Sequence, residues 1–182
     1  RKAVEGLVYN FDPRRSVTSE RPAGTYYISI DYGTLNPFSA GLWSFDGQRA
    51  VRIREYYHDG RATQKQLTDE EYYTALEKLA GNLPIERIII DPSAASFIAT
   101  IRRHGRFSVK RANNDVLNGI RRTADLLNSG KVLIHESCVN AIREFELYVW
   151  DEKSGDDRPV KENDHAMDDI RYFCYTVLRR LR

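Results

Sequence analysis

The stretch Tyr26-Tyr27-Ile28-Ser29-Ile30-Asp31 decides how this chain is read. An aromatic and β-branched run marks a buried strand, and an ionised carboxylate is costly to leave at the end of one without a positive partner. Ile88-Ile89-Ile90-Asp91 repeats the pattern further along. Working outward, residues 25–31, about 38–46 and about 49–57 read as three strands, the last two joined into a hairpin by the tight turn Asp46-Gly47. Thr68-Asp69-Glu70-Glu71 is a capping box that opens a helix toward Ala80-Gly81. Arg87 to Ile90 is a buried strand, followed by Asp91-Pro92 and a helix stopped by Gly105. A short strand is expected near Ser108 to Lys110. From Asn114, the residues Val116, Ile120, Ala124 and Leu127 recur at helical spacing until Ser129-Gly130. Lys131 to Ile134 is a last short strand and Cys138 to Tyr148 a further helix. Trp150 to Lys161, rich in Asp and Gly and holding Pro159, is a loop or hairpin. The final helix starts at Asn163 or Asp164 and carries Ala166, Ile170, Phe173, Val177 and Leu181 on one face, with His165, Asp168, Tyr172 and Tyr175 roughly opposite. A hairpin followed by alternating helices and strands predicts an α/β fold, a mixed central sheet with helices on both faces.

The 182 residues suffice for one domain, which at this size buries about 70% of its unfolded surface. Residues 1–24 are polar, hold Pro13 and Pro22 and show no sustained period, so they read as a linker or strand-like lead-in from a preceding region. With Arg1 where a starting Met would stand, the expectation is an excised fragment whose folded domain covers 25–182. No run approaches the ~18 apolar residues of a membrane helix, and no signal-peptide pattern opens the chain. Cys138 and Cys174 lie far apart in apolar surroundings, without zinc-ligand spacing, and read as reduced core residues of a cytoplasmic protein. Net charge is only +2, from 28 basic and 26 acidic residues, but it is unevenly spread. Arg102, Arg103, His104, Arg106, Lys110, Arg111, Arg121 and Arg122 fall in one span, while Asp151, Glu152, Asp156 and Asp157 gather in another. Such a basic span fits a polyanion, and equally a solvated helix face.

Asp31, Asp91 and Asp168 end three different predicted elements. If the fold gathers them, the partner that costs least is a divalent metal held by oxygen ligands, and such a centre cuts phosphodiesters. The two-metal route holds ions about 3.5–4 Å apart, and Asp31, on the first and central strand, is the natural shared ligand. Two like charges at 4 Å repel by about 4 kcal/mol at an effective dielectric near 20, so without metal the cluster should hold a proton or loosen. Each residue also has a plainer reading. Asp31 precedes Tyr32-Gly33 and could be a turn residue; Asp91 could be a helix N-cap with Pro92 at N1. Asp168 competes with Asp164 and Asp169, although helical geometry puts Asp168 on the Tyr172 and Tyr175 face and Asp169 nearer Phe173. His165 could be bonded to its neighbours in the first turn. Lys161 neutralises a scissile phosphate or orients water in one reading, and is a surface lysine in the other.

Several segments together resemble the nuclease domain of a tailed-bacteriophage terminase large subunit. They are Gly6-Leu7-Val8-Tyr9-Asn10-Phe11-Asp12, Ile28-Ser29-Ile30-Asp31-Tyr32-Gly33, Ile89-Ile90-Asp91-Pro92-Ser93-Ala94, Asn114-Asp115-Val116-Leu117-Asn118-Gly119-Ile120, Tyr148-Val149-Trp150-Asp151, Pro159-Val160-Lys161 and Asp164-His165-Ala166-Met167-Asp168-Asp169-Ile170-Arg171-Tyr172. The resemblance implies a ribonuclease H-like fold and an endonuclease that cleaves double-stranded viral DNA during packaging. It implies Asp31, Asp91 and Asp168 as ligands of Mg2+ or Mn2+, two ions, with His165 close by. It further implies an N-terminal ATPase domain on the same polypeptide, the terminase small subunit and portal as partners, and the host cytoplasm as location. Lys110, Arg111, Arg121 and Arg122 would grip the DNA backbone, and the 150–161 segment would stand beside the site and limit access. Asp31-Tyr32-Gly33-Thr34 also resembles the first phosphate loop of actin and sugar-kinase-like ATPases, but a second Asp-x-Gly-Thr is missing. A Holliday-junction-resolvase-like nuclease, and a non-catalytic docking module whose acids are caps and ion pairs, are the other readings.

Overall fold

A computed structural model describes residues 6–182. Residues 1–5, and with them the reading of Arg1, lie outside the described residues. The lead-in segment joins the sheet: a single helical turn, α1 (Pro13–Ser16), is capped by Asp12, and β1 (Val17–Thr18) follows. Then come β2 (Thr25–Asp31), β3 (Phe38–Phe45), β4 (Ala50–His58), the short α2 (Gly60–Thr63) and α3 (Asp69–Ala80). They are followed by β5 (Ile85–Ile90), α4 (Ala95–His104), β6 (Val109–Arg111), α5 (Val116–Asn128), β7 (Val132–His135), α6 (Val139–Phe145) and α7 (His165–Thr176). The seven strands lie in the order β1-β7-β4-β3-β2-β5-β6, antiparallel from β2 to β4 and parallel elsewhere.

Local chemistry explains the joints. Asp46 Oδ1 accepts from the backbone N–H of Gln48 and Arg49, and Gly47 takes φ 95°, a conformation that glycine adopts without steric cost. At the start of α3 the predicted capping box is complete: Glu71 N–H donates to Thr68 Oγ1 and Thr68 N–H to Glu71 Oε1, both at 3.1 Å. A Thr68→Ala chain is therefore expected to lose about 1 kcal/mol, read as a lower urea midpoint at unchanged slope. An unmoved midpoint would mean that tertiary packing alone holds that end of α3.

Alternation across the sheet makes two cores. Ile28, Ile30, Leu42, Ile88 and Ile90 pack under α3 and α4 with Tyr72, Leu76, Phe97 and Ile101. On the other face Trp43, Ile134, Ile120, Phe145, Ile170 and Phe173 pack with α5, α6 and α7, and Ile89 meets Tyr172. Three expectations need adjustment. The helix after Asp91-Pro92 begins at Ala95, so Asp91 is not its N-cap. α6 ends at Phe145, because the N–H groups of Leu147 and Tyr148 both turn back to the Glu144 carbonyl. α7 ends at Thr176, so Leu181 packs from the turn beyond it. The 150–161 segment is closed as a hairpin by pairing of Trp150 with Pro159, with Asp151 N–H on Arg158 O at 2.8 Å.

Candidate active site

Ile30 is in parallel register with Ile90, so Asp31 and Asp91 leave two adjacent strands side by side, at the ~4.8 Å spacing of neighbouring strands. The first turn of α7 lies over this pair. His165 Nδ1 stands 3.0 Å from Asp31 Oδ2, and its Nε2 3.3 Å from Asp164 Oδ1. Arg171 Nη2 donates to Asp168 Oδ1 at 3.2 Å and its Nη1 to the Asn114 carbonyl at 3.1 Å. Asp91 accepts from Ser93 N–H at 2.8 Å, from the Asn114 amide at 3.2 Å and from the Tyr172 hydroxyl at 3.4 Å. Burial pushes the Asp31 carboxyl up, with His165 opposing it, and pushes Asp168 up further because the Asp31 charge adds to the effect. Asp31, Asp168 and Asp91 all act on the Tyr172 hydroxyl, which burial first of all pushes upward. His165 is lifted to about 9: burial would lower it, but the hydrogen bond to Asp31 and the Asp164 charge prevail. Asp91 behaves oppositely, since its bonds from Ser93, Asn114 and Tyr172 outweigh burial and hold it below the ordinary carboxylate range.

What fixes α7 here is a polar ring buried beneath it. Asp169 takes the core side of the helix, where Ser29 Oγ and Ser39 Oγ donate to it at 2.8 and 2.6 Å and Arg52 Nη2 at 3.1 Å. Arg52 also reaches Glu55 at 3.4 Å, and Glu55 accepts the Asn140 and Ala141 N–H groups at the start of α6. From the far end of α6, Glu144 Oε1 accepts the N–H groups of Ala166 and Met167 at 2.8 and 3.1 Å, while Tyr57 donates to its other oxygen at 2.7 Å. Asp164, at the N-cap of α7, makes no side-chain cap bond, so Glu144 supplies the acceptor that a helix start requires. The three candidate acids of α7 are thereby sorted. Asp169 is structural, Asp164 flanks His165, and Asp168 stands with Asp31.

Arg171, Asn114 and Glu144 were not singled out as site residues from the sequence. Lys161 is exposed and free of hydrogen bonds among the described residues. Lys110 and Arg111 are exposed on β6. Arg121, exposed on α5, borders a cleft with Leu117, Trp150 and Asp157. Arg122 points elsewhere: its guanidinium donates to the carbonyls of Leu178 and Leu181 and holds the turn after α7, so it is not offered to a ligand as expected.

Hard carboxylate oxygens, on an Asp31 that burial makes hard to ionise and an Asp168 that burial and the Asp31 charge make harder still, suit a hard divalent cation. Among the described residues, however, no three His, Cys, Asp or Glu side chains stand as a finished ligand set. His165 and Arg171 supply the positive charge instead, so an incoming ion would have to displace those contacts.

A mixed sheet with helices on both faces, and acids at the ends of two adjacent parallel strands beneath a helix that carries a third, defines a ribonuclease H-like domain. The family model described as terminase RNaseH-like domain matches residues 31–175. The chain belongs to that family. The large terminase of a thermophilic bacteriophage, solved in complex with ADP, superposes with a TM-score of 0.91 at 44% identity, over 95% of this chain and 45% of that one. The terminase large subunit of Escherichia phage T5 is 25% identical over 160 residues, 84% of this chain and 35% of its own length. The large-terminase nuclease domain of bacteriophage SPP1, solved with bound Mn, shares the fold at 20% identity and a TM-score of 0.60, over 83% of this chain and 85% of that one. The chain thus spans less than half the length of the ADP-bound terminase and of the T5 protein.

Proposed function

We propose that the chain is the metal-dependent endonuclease domain of a viral DNA-packaging protein and cleaves double-stranded DNA with Asp31, Asp91 and Asp168 as ligands of two Mg2+ or Mn2+ ions. The observation that carries this reading is the side-by-side exit of Asp31 and Asp91 from β2 and β5 under the α7 turn that bears Asp168. The Mn bound in the SPP1 nuclease domain supports it. Such ions supply Lewis acidity for the phosphodiester and lower the pKa of a bound water. The protein's own part is positioning. His165, bridging Asp31 and Asp164, sets the orientation of the Asp31 carboxylate, and Asn114 with Tyr172 sets that of Asp91. Lys161, at the end of the 150–161 hairpin, neutralises a phosphate in this reading, and the acidic tip of that hairpin would repel DNA unless it moves. In this reading the rest of the polypeptide includes an N-terminal ATPase domain, the small subunit and portal are partners, and the setting is the host cytoplasm.

The test is plasmid cleavage with and without Mg2+ or Mn2+. The wild type is expected to nick and linearise only with metal, and Asp31→Ala, Asp91→Ala and Asp168→Ala to fall to background. A second readout needs no activity. Millimolar metal should raise the melting temperature of the wild type, since an ion present at 100 times its Kd stabilises by about 2.7 kcal/mol, and should leave Asp31→Ala unmoved. Cleavage by Asp31→Ala at the wild-type rate would overturn the reading.

A further inference from the structure

The outer edge of the sheet is basic on both of its faces. β6 ends the strand order, and its Lys110 and Arg111 are exposed. A groove on the α4 side is lined by Pro92, Arg102, Arg103 and Arg111 among small and apolar residues. A second groove, where the chain leaves α7, is lined by Lys110, Arg111, Asn113, Tyr175, Arg179 and Arg180. Arg111 borders both, and among the described residues no aspartate or glutamate lines either. Arg102, Lys110, Arg111 and Arg180 have no ion-pair partner among the described residues. Arg103 approaches Glu70 only at 3.8 Å, with both side chains largely exposed, and Arg179 lies over the Tyr175 ring. Both grooves reach the backbone next to Asp91. Pro92 follows Asp91 directly, Ala112 N–H donates to Ile90 O at 2.9 Å, and Asn113 precedes the Asn114 that holds Asp91.

We propose that this edge is the track on which the phosphodiester backbone of duplex DNA lies as it enters the site, gripped by Arg102, Arg103, Lys110, Arg111, Arg179 and Arg180. The proposal rests on the nuclease reading and deepens it. Duplex DNA carries one negative charge per ~1.7 Å of axis, so a row of exposed cations, four of them without an ion-pair partner among the described residues, is its natural complement. Arginine predominates, and its planar fork matches phosphate oxygens in pairs. Charge on an open edge strand also discourages edge pairing between copies. That accounts for Lys110 and Arg111 but not for the four arginines contributed by α4 and the turn after α7. The same geometry leaves Arg121 off the track, beside Asp157, and Arg122 occupied by carbonyls.

The test is the affinity for a fluorescent duplex, followed by anisotropy across a salt series in EDTA, where cutting plays no part. The chains compared are the wild type, Arg102→Ala/Arg179→Ala/Arg180→Ala and, as the off-track control, Arg121→Ala. All four positions are exposed, and thermal melting verifies that the variants fold. With about 0.9 counterions released per phosphate contact, the triple variant should lose roughly 2.7 from the slope of log K against log salt and bind about tenfold more weakly at moderate salt. Arg121→Ala should match the wild type within about twofold. A triple variant with the wild-type slope, or an equal loss in Arg121→Ala, overturns the track. The two readings fail separately: a wild type that cuts with metal while the triple variant binds unimpaired removes the track alone. A wild type that binds with a steep, triple-sensitive slope but never cuts removes the nuclease and leaves the track.

Discussion

An Arg52→Met chain is expected to lose about 4 kcal/mol of stability although the substitution touches no surface. Arg52 and Asp169 are each 0% exposed and face each other beneath α7. Removing one partner of a buried pair leaves the other charge desolvated and unanswered, which costs about 3–5 kcal/mol, whereas replacing both by apolar residues is often neutral. The double variant Arg52→Met/Asp169→Leu should accordingly recover most of the loss, less what Ser29 and Ser39 forfeit as donors. Gly41 is part of the same arrangement. A Cβ there would sit 1.9 Å from Arg52 Nη1, so Gly41→Ala must push the guanidinium off Asp169 and should destabilise on the same scale. Denaturant midpoints measure all three variants. An Arg52→Met midpoint equal to the wild type would show that the pair does not hold α7.

Glu144→Ala is the second large effect, and it reaches the site as well as the fold. The carboxylate is the acceptor for two N–H groups at the head of α7, and its loss leaves both buried and unpaired, about 1–3 kcal/mol each. Because those residues follow His165 and precede Asp168, the metal-dependent cutting of the nuclease reading should fall further than the share of folded protein explains. Glu144→Gln keeps a carbonyl oxygen for the two N–H groups and should restore both stability and cutting. Burial pushes the Glu144 carboxyl up, against its bonds from Tyr57, Met167 and Ala166. In the folded chain it therefore holds its proton more tightly than in the unfolded chain. Its stabilising share is full below the ordinary glutamate pKa and is lost as pH rises through the raised one. The Glu144→Gln chain should lack that fall. If Glu144→Ala cuts in proportion to its folded fraction, the role of Glu144 is purely structural.

The frame of the molecule was legible because its signals are local. Ile runs, the Asp46-Gly47 turn and the Thr68 box each state their outcome within a few residues, and all three appear in the structure. Helix ends were less so: α6 closes on its own Glu144 carbonyl, and the turn after α7 is held by Arg122, distant in sequence. Asp31 and Asp91 are visible as acids closing apolar runs, and the α7 periodicity favours Asp168 over Asp169 for the Tyr172 face. Glu144 left a trace that went unread: with Ala141, Phe145 and Tyr148 it forms a stripe at core spacing, and an acid in such a stripe must find donors. Arg52 and Gly41 lie on neighbouring strands, and only pairing in space reveals that one makes room for the other. Arg122 looked like any other arginine of a basic helix, since nothing in sequence announces the Leu178 and Leu181 carbonyls.

The ring from Asp169 through Arg52, Glu55 and α6 to Glu144 returns to the helix it started from, binding α7 near its head at two places. Such a helix cannot fray from its leading end without breaking contacts that also secure its neighbour, so local opening there approaches global unfolding in cost. The helix that carries Asp168 is therefore standing equipment, while the carboxylates themselves must still exchange His165 and Arg171 for an incoming ion. In the nuclease reading, whatever decides when a strand is severed acts from outside that closed circuit, by admitting the polymer or withholding it.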